Sequence, residues 1–185
     1  MANKIYPKFN EQKATEAVSL LLKMHGGKMS RVKVLKLLYL ADRKAIENWE
    51  RPITHDIYYS MKEGQVLSGV LDLINSVIQN PIWQKYIVIA DNISIKLRNK
   101  DEFAGVQNLT RAEVRLIEDI YKEFGNWDRF ELGKLTKKFP EYKPTTGRIK
   151  TEIEEILTHI YGKEDAERIE RKLEERAYLE LAFRE

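Results

Sequence analysis

The stretch SRVKVLKLLYLAD, residues 30–42, decides how this chain folds. Its apolar side chains surround a helix almost completely, which is typical of a helix buried at the centre of a domain. Ser30 is a suitable N-cap, and the pattern predicts that the helix continues to about Trp49. We therefore expect the other elements of the fold to pack around this helix.

Amphipathic patterns with helical spacing predict further helices on both sides of this segment. Asn10 is the expected N-cap of the first, and Thr110-Arg111-Ala112-Glu113 is a capping-box sequence. Asn80-Pro81 is expected to end the third helix, because the residue before a proline avoids the helical conformation. The predicted helices span residues 11–25, 30–49, 67–79, 110–124, 128–139, 149–161 and 164–183.

Apolar and polar residues alternate in part of residues 86–98, which predicts a β-hairpin with Asp91-Asn92 in a tight turn of positive φ. The segment 50–66 is predicted to be a long loop with a short strand at 56–61, and long ordered loops are often functional. The expected fold is mainly α (α+β), a compact helical domain of about six to seven helices with one small β-hairpin. Residues 1–185 are expected to form this single domain.

Composition removes several classes of function. The 185 residues include no cysteine, which excludes disulfides, thiol nucleophiles, iron–sulfur ligation and zinc sites that need cysteine. The net charge of +3 is below what a nucleic-acid-binding domain usually shows. No apolar stretch suits a signal peptide or a membrane-spanning helix, so we expect a cytoplasmic protein without a membrane partner.

Motifs for catalysis are missing from the sequence, including phosphate-binding loops, dinucleotide fingerprints and zinc-binding His pairs. His25 is expected to serve a structural role at a helix end, and His55-Asp56 is expected in a solvated loop turn. We therefore expect no enzymatic activity, no cofactor and no metal. The alternative is a hydrolase in which His55 acts with Asp42, Asp56 or Glu63.

Asp42 follows the buried helical stretch by one turn and is expected to be partly buried itself. A buried carboxylate is costly unless it is paired, so a fixed partner is expected. The candidates are Arg43, Lys62 and a backbone amide of the following loop. Any of these would hold the loop against the helix.

Charge is spread unevenly along the chain. Residues 8–51 contain ten Lys and Arg against five Asp and Glu, a balance of +5, and residues 163–185 contain six against eight, a balance of −2. The basic part either faces an acidic or phosphate-bearing partner or is an ordinary solvated helix surface. The last helix carries an apolar stripe that packs either on the core or on a partner, formed by Ala166, Ile169, Leu173, Ala177 and Leu181.

Four sequence elements in this order resemble the Panacea domain of SocA-like antitoxins, which also occurs in phage-associated proteins. They are the helical motif at 36–42, Arg51-Pro52-Ile53, Tyr58 and the run 62–66. The similarity is best over residues 30–80. Gln65 stands where the family usually has proline in Gly-Pro-Val, so the turn is expected to be less rigid. The histidine of a C-terminal family motif is absent from residues 135–139.

This resemblance implies an antitoxin of a toxin–antitoxin system that neutralises a cognate toxin by direct protein–protein binding. It leaves two alternatives, an adaptor that delivers the toxin to an AAA+ protease and a DNA-binding autoregulator. Against DNA binding, the helix at 30–49 is too apolar to lie in a groove. A DNA-binding surface would use Lys28, Arg31, Lys33, Lys36 and Lys44.

The residues expected to form the partner-binding site lie in and after the central helix. Tyrosine is enriched at protein interfaces, which fits the pair Tyr58-Tyr59. The same residues have a second interpretation, as residues that build the fold. The expected set is Lys36, Tyr39, Asp42, Arg43, Pro52, His55, Tyr58, Tyr59, Lys62, Gly64, Gln65 and Val66.

Overall fold

A computed structural model describes residues 4–183, which form eight α-helices and six short strands. The α+β fold class is confirmed, with more helices than the six to seven expected. In chain order the elements are α1 (Glu11–Met24), β1 (Lys28–Ser30), α2 (Arg31–Trp49), β2 (Tyr58–Met61), β3 (Gly64–Leu67), α3 (Ser68–Ile74), α4 (Pro81–Tyr86), β4 (Ile87–Ile89), β5 (Ser94–Leu97), α5 (Arg111–Phe124), α6 (Arg129–Thr136), β6 (Arg148–Thr151), α7 (Ile153–Tyr161) and α8 (Lys163–Ala182).

Helix α2 lies at the centre of the molecule, as its apolar circumference predicted. Ser30 accepts a hydrogen bond from the Lys33 amide and is the expected N-cap. Every side chain from Lys33 to Asp42 is buried. Helices α1, α5 and α6 and strand β3 pack around α2, so the side chains on its surface determine where these elements lie.

The predicted hairpin at residues 86–98 is present as β4 and β5, and β1 adds a third strand to form the order β1-β5-β4. The connection between β4 and β5 differs from the prediction. Neither Asp91 nor Asn92 has a positive φ. Instead the Ala90 amide donates to Ser94 O, and Asp91 Oδ1 accepts the Ile93 amide, so a longer loop replaces the tight turn.

The short strand predicted at 56–61 is present as β2, and it pairs with β3 in a second hairpin that was not predicted. It pairs Tyr58 with Leu67 and Met61 with Gly64. The sheet has the order β3-β2-β6. The helix predicted at 149–161 begins later, because residues 148–151 form β6 and pair with β2 about ninety positions earlier in the chain.

The helix predicted at 67–79 is shorter than expected. It ends at Ile74, and Ser76 takes the left-handed conformation with φ +59°. Asn80-Pro81 does not end a helix but begins α4, in which Asn80 Oδ1 accepts the Trp83 amide. Proline lacks an N–H, which suits the first turn of a helix as well as the position after one, and the prediction chose the wrong alternative.

Other helix ends follow the prediction. Thr110 with Glu113 forms the predicted capping box at the start of α5, and Asp128 with Glu131 forms a further one at the start of α6. His25 is the C-cap of α1, which confirms its expected structural role. Helices α7 and α8 pack against each other at the C-terminal end, and Ile169 and Leu173 of α8 enter the core.

Candidate functional site

The residues expected at the partner-binding site come together on one side of α2. Lys36, Tyr39, Asp42 and Arg43 make hydrogen bonds to segment 51–67 and to the loop that follows α6. The polar side chains that join these elements are called the α2 network below. Its members are Lys36, Tyr39, Asp42, Arg43, Thr54, Tyr58, Ser60, Gln65, Glu141 and Thr151.

Asp42 anchors the segment that leads into the second hairpin. Its Oδ1 accepts the amides of Ile53 at 2.9 Å and Thr54 at 3.1 Å. Its Oδ2 accepts the hydroxyls of Thr54 and, at 3.0 Å, Tyr58. Burial raises the pKa of Asp42 to about 6, and the four donors limit that rise. Both oxygens of the carboxylate are therefore used by donors within the fold.

This arrangement decides between the three partners expected for Asp42. A loop amide is correct, because Ile53 and Thr54 both donate to it. Arg43 instead donates from Nε to Glu141 Oε1 at 2.7 Å. Lys62 is exposed in the turn between β2 and β3. The loop is thus fixed to the helix by backbone hydrogen bonds and not by an ion pair.

Asp56 fixes the other end of the same short segment. Its Oδ1 accepts the amides of Ile57 and Gly69, and its Oδ2 accepts the Val70 amide at 3.0 Å. The amides of Gly69 and Val70 belong to the first turn of α3, whose own N-cap residue, Leu67, has no side-chain acceptor. Burial raises the pKa of Asp56 to about 6. Asp56 therefore replaces the missing N-cap by accepting amides thirteen and fourteen positions further along the chain.

A second cluster joins α2 to the loop after α6. Tyr39 donates to Glu141 Oε1 at 2.5 Å, beside the Arg43 bond, and the Arg43 guanidinium lies 4.1 Å from the centre of the Phe139 ring. Glu141 is 1% exposed, and its second carboxylate oxygen has no partner among the described residues. Burial and the Glu141 charge raise the pKa of Tyr39 well above its usual value.

The side chain of Lys36 is fully buried and reaches strand β3. Its Nζ donates to Gln65 O at 2.6 Å, and burial lowers its pKa to about 7. Gly64 lies beside it with φ +97°, and a Cβ at this position would collide with Thr136 Oγ1 and come within 3.3 Å of Lys36 Nζ. Glycine is therefore required at residue 64 both for its backbone conformation and for space.

Gln65 lies within β3 and not in a turn, contrary to the expectation from the proline it replaces. Its side-chain amide donates to Ser60 Oγ at 3.1 Å and to Glu141 O at 3.3 Å, and its Oε1 accepts the Thr151 hydroxyl at 3.2 Å. One buried side chain thus joins β2, β3, β6 and the loop after α6.

Burial divides the expected contact residues into two groups. The side chains at the surface are Tyr59, which is half-buried under Arg148, and Lys62, with His55 partly exposed. Contact between any of these residues and a partner stays a prediction. The residues buried in the fold are Lys36, Tyr39, Asp42, Pro52, Tyr58, Gly64, Gln65 and Val66, and Arg43 is largely covered.

His55 does not lie in a solvated turn, which corrects the expectation. It lines a cleft of about 110 Å³ together with Tyr6, Ile57 and Leu173, and its φ is +53°. Burial and the nearby positive charges of Arg176, Arg51 and Lys13 lower its pKa to about 4.

Among the described residues, His55 makes no hydrogen bond to Asp42, Asp56 or Glu63, although Asp56 lines the same cleft. Backbone and hydroxyl donors occupy the carboxylates of both Asp42 and Asp56. Glu63 lies in the exposed turn between β2 and β3, away from the cleft that His55 lines. Within residues 4–183, no three His, Asp or Glu side chains are placed to hold a metal ion.

Most of the excess positive charge counted along residues 8–51 is neutralised or buried in the fold. Lys33 is 8% exposed and donates to Gly125 O, and Lys36 is buried as described above. Ion pairs with carboxylates hold Lys13 and Arg51 (to Glu113), Lys28 (to Asp91), Arg43 (to Glu141) and Lys44 (to Glu47). Four of the five residues expected for DNA binding are therefore paired or buried, namely Lys28, Lys33, Lys36 and Lys44.

Glu141 and Asp56 are the important residues that the sequence analysis did not assign. In the sequence, Asp56 stands out only as the neighbour of His55, and nothing around Glu141 indicates that α2 binds it. The loop 137–147 lies close to α2 because elements that are distant in the sequence pack together. The only local signal is a charged residue in a loop that contains Pro140 and Pro144, and many loops share that feature.

Comparison with known proteins gives one result. A family model described as "Antitoxin SocA-like, Panacea domain" matches residues 34–143. The match begins in α2 and ends after Glu141, so it leaves out β6, α7 and α8. No curated protein and no solved structure matches the chain. Among residues 4–183, no helix has the length and apolar character needed to cross a membrane.

Proposed function

Because the chain belongs to the family of SocA-like antitoxins with a Panacea domain, we propose that it neutralises a cognate toxin by direct protein–protein binding. The observation that carries this proposal is the family match over residues 34–143. All members of the α2 network except Thr151 fall inside the matched region. Nine of the ten network residues thus lie inside the region that the family model matches.

Binding is favoured over catalysis by the state of the polar groups. The carboxylates of Asp42 and Asp56 are each used by three or more donors within the fold. Groups used in this way stabilise a structure and are not free to move protons for a substrate. On this proposal the chain is not an enzyme and works through its surface.

The rigidity of the second hairpin also supports a binding function. Asp42, Lys36 and Gln65 hold β2 and β3 against α2 by buried hydrogen bonds. A surface whose backbone is already fixed loses little conformational entropy when a partner binds. Tyr59 and Lys62 lie on this fixed surface and remain the expected contacts of the hairpin.

The two alternatives differ in how well the structure supports them. Delivery of the toxin to an AAA+ protease shares the binding step and differs only in what happens to the toxin. DNA binding receives less support, because the N-terminal lysines and arginines are largely used in ion pairs or buried.

The proposal is tested by co-expressing the chain with the product of the adjacent open reading frame. Expression of that product alone should stop growth, and the chain should restore growth and co-purify with it. An immunoblot of the toxin separates blocking, where its level is unchanged, from delivery to a protease, where its level falls. The proposal is wrong if the adjacent product is harmless or if the two proteins do not co-purify.

A further inference from the structure

The end of α8 exposes several apolar side chains, although Leu181 also lines a cleft with residues 5–8 of the N-terminal segment. Ala177, 3% exposed, is the last buried residue of the helix, and every residue from Tyr178 to Phe183 is exposed. Four of these six residues are large and apolar, with exposures of 56% for Tyr178, 58% for Leu179, 41% for Leu181 and 85% for Phe183. Residues Tyr178–Phe183 are called the α8 tip below.

The N-terminal and middle parts of α8 are packed against the rest of the fold. Ile169 and Leu173 lie in the core. Glu50 accepts hydrogen bonds from Arg168 and Lys172, each at 2.8 Å, and so fastens α8 to the end of α2. Because these parts of α8 are fixed, the orientation of its C-terminal end is fixed as well. The α8 tip is therefore pre-organised, which lowers the cost of binding.

Folding does not account for this apolar surface. The tip makes no contribution to the α2 network, and it lies outside the region matched by the family model. Contiguous exposed apolar residues are uncommon on monomeric proteins and usually mark an interaction site. Leu179 and Phe183 are four positions apart and lie on one face of the helix, as in peptides that place a helix into a groove.

A second copy of the chain is a poor occupant for this surface. Aromatic side chains of roughly 150–250 Å² at these exposures leave about 100 Å² of Tyr178 and about 170 Å² of Phe183 open to solvent. Even with the two leucines, the patch is smaller than the ~800 Å² that each partner of a stable complex usually buries, so two tips alone would not hold a dimer and a toxin would also have to contact other surface of this chain.

The charges around the tip indicate the chemistry of the partner. Residues 174–183 carry Glu174, Glu175 and Glu180 against the single cation Arg176, a net charge of −2. Two copies would bring like charges together, which opposes self-association. A groove with lysine and arginine at its rim would be attracted instead.

We propose that the α8 tip is the anchor by which this chain binds its toxin, and that it inserts into an apolar groove rimmed by basic residues on the toxin surface. The inference rests on the proposed antitoxin function and adds the element of the chain that makes the contact. It also explains why an amphipathic helix outside the shared family domain ends in four exposed apolar side chains.

The test measures the affinity of the purified chain for the product of the adjacent open reading frame. The double variant Leu179→Glu/Phe183→Glu should bind about 30-fold more weakly or worse, as expected when central apolar anchors are removed. Arg171→Ala, an exposed polar position on the same helix, is the matched control and should bind like the wild type. Both variants should keep the wild-type melting temperature, because the substituted side chains are exposed.

Charge is tested separately with Glu175→Lys. This variant should slow association with the toxin several-fold at low salt, and the difference should shrink as salt is added. An association rate that does not change, or one that increases, would contradict the basic rim.

The outcomes separate this inference from the proposed function. If the wild type neutralises the toxin and the double variant binds within threefold of it, the tip is not the anchor and the antitoxin function stands. If the wild type does not bind the adjacent product at all, both proposals are wrong. If the chain dimerises by light scattering and only dimerisation is lost in the double variant, the occupant is a second copy and the inference is overturned.

Discussion

Replacing Asp42 by alanine should destabilise the protein by about 6 kcal/mol. The substitution leaves the buried amides of Ile53 and Thr54 without an acceptor. Each such amide costs about 1–3 kcal/mol. The hydroxyls of Thr54 and Tyr58 also lose a charged acceptor, which adds about 1 kcal/mol each because a hydroxyl can turn toward another partner. The total approaches the whole stability of many domains.

The isosteric variant Asp42→Asn should cost much less, about 2 kcal/mol, because its carbonyl oxygen still accepts the two amides while the hydroxyls turn to accept from its NH₂ group. Urea unfolding followed by circular dichroism gives the free energy of unfolding for each variant, provided the slope with urea is unchanged. Hydrogen exchange at Ile53 and Thr54 should accelerate in the alanine variant.

Asp119→Ala is the matched control, since it removes an exposed aspartate with a surface ion pair to Lys122 and should change stability by less than ~0.5 kcal/mol. A loss below about 1.5 kcal/mol for Asp42→Ala, or equal losses for the alanine and asparagine variants, would refute the claim that Asp42 fixes the segment through its backbone amides.

Three further perturbations test other parts of the α2 network. Gly64→Ala should lower the free energy of unfolding by about 3 kcal/mol, because of the positive φ and the collision of the new Cβ with Thr136 Oγ1. In a double-mutant cycle with Thr136→Ala, this loss should be smaller by at least about 1 kcal/mol. Additive losses of stability would contradict the collision. The pKa of Lys36 is lowered to about 7, so the unfolded chain binds more protons than the folded chain above that pH, and the free energy of unfolding should rise from pH 7 to 9. Urea titrations of Lys36→Met should lack this rise. The same dependence of stability on pH in both proteins would count against the buried amine. Glu141→Gln should lower the melting temperature by several degrees, because Arg43 loses its counter-charge while Tyr39 keeps an acceptor. An unchanged melting temperature would mean that the ion pair between Arg43 and Glu141 contributes nothing to stability.

Local signals in the sequence predicted the elements whose ends depend on nearby residues. Ser30, Asn10 and Thr110 are caps whose partners lie three positions away, and all three were identified. The burial of α2 followed from its apolar circumference. The dependence of Asp42 on a partner followed from the cost of a buried charge, and a loop amide was among the partners considered.

The features that were missed depend on contacts between distant parts of the chain. Residues 148–151 form β6 only because β2 offers them an unpaired edge, and the apolar pattern nearby favoured a helix. Glu141 becomes a partner of Tyr39 across about a hundred positions. The sequence also does not say which side of Asn80-Pro81 carries the helix, since the same residues suit an end and a beginning.

Strand β2 alternates between two environments. Tyr58 and Ser60 are buried and belong to the α2 network, whereas Tyr59 and Met61 between and after them face outward and are only half-buried. Neighbouring positions in the sequence are thus subject to different constraints. The outer positions, with Lys62 at the turn, form a short set that can be randomised in a library while the inner positions are held constant. Variants with altered partner preference could then be selected from a background of molecules that all fold.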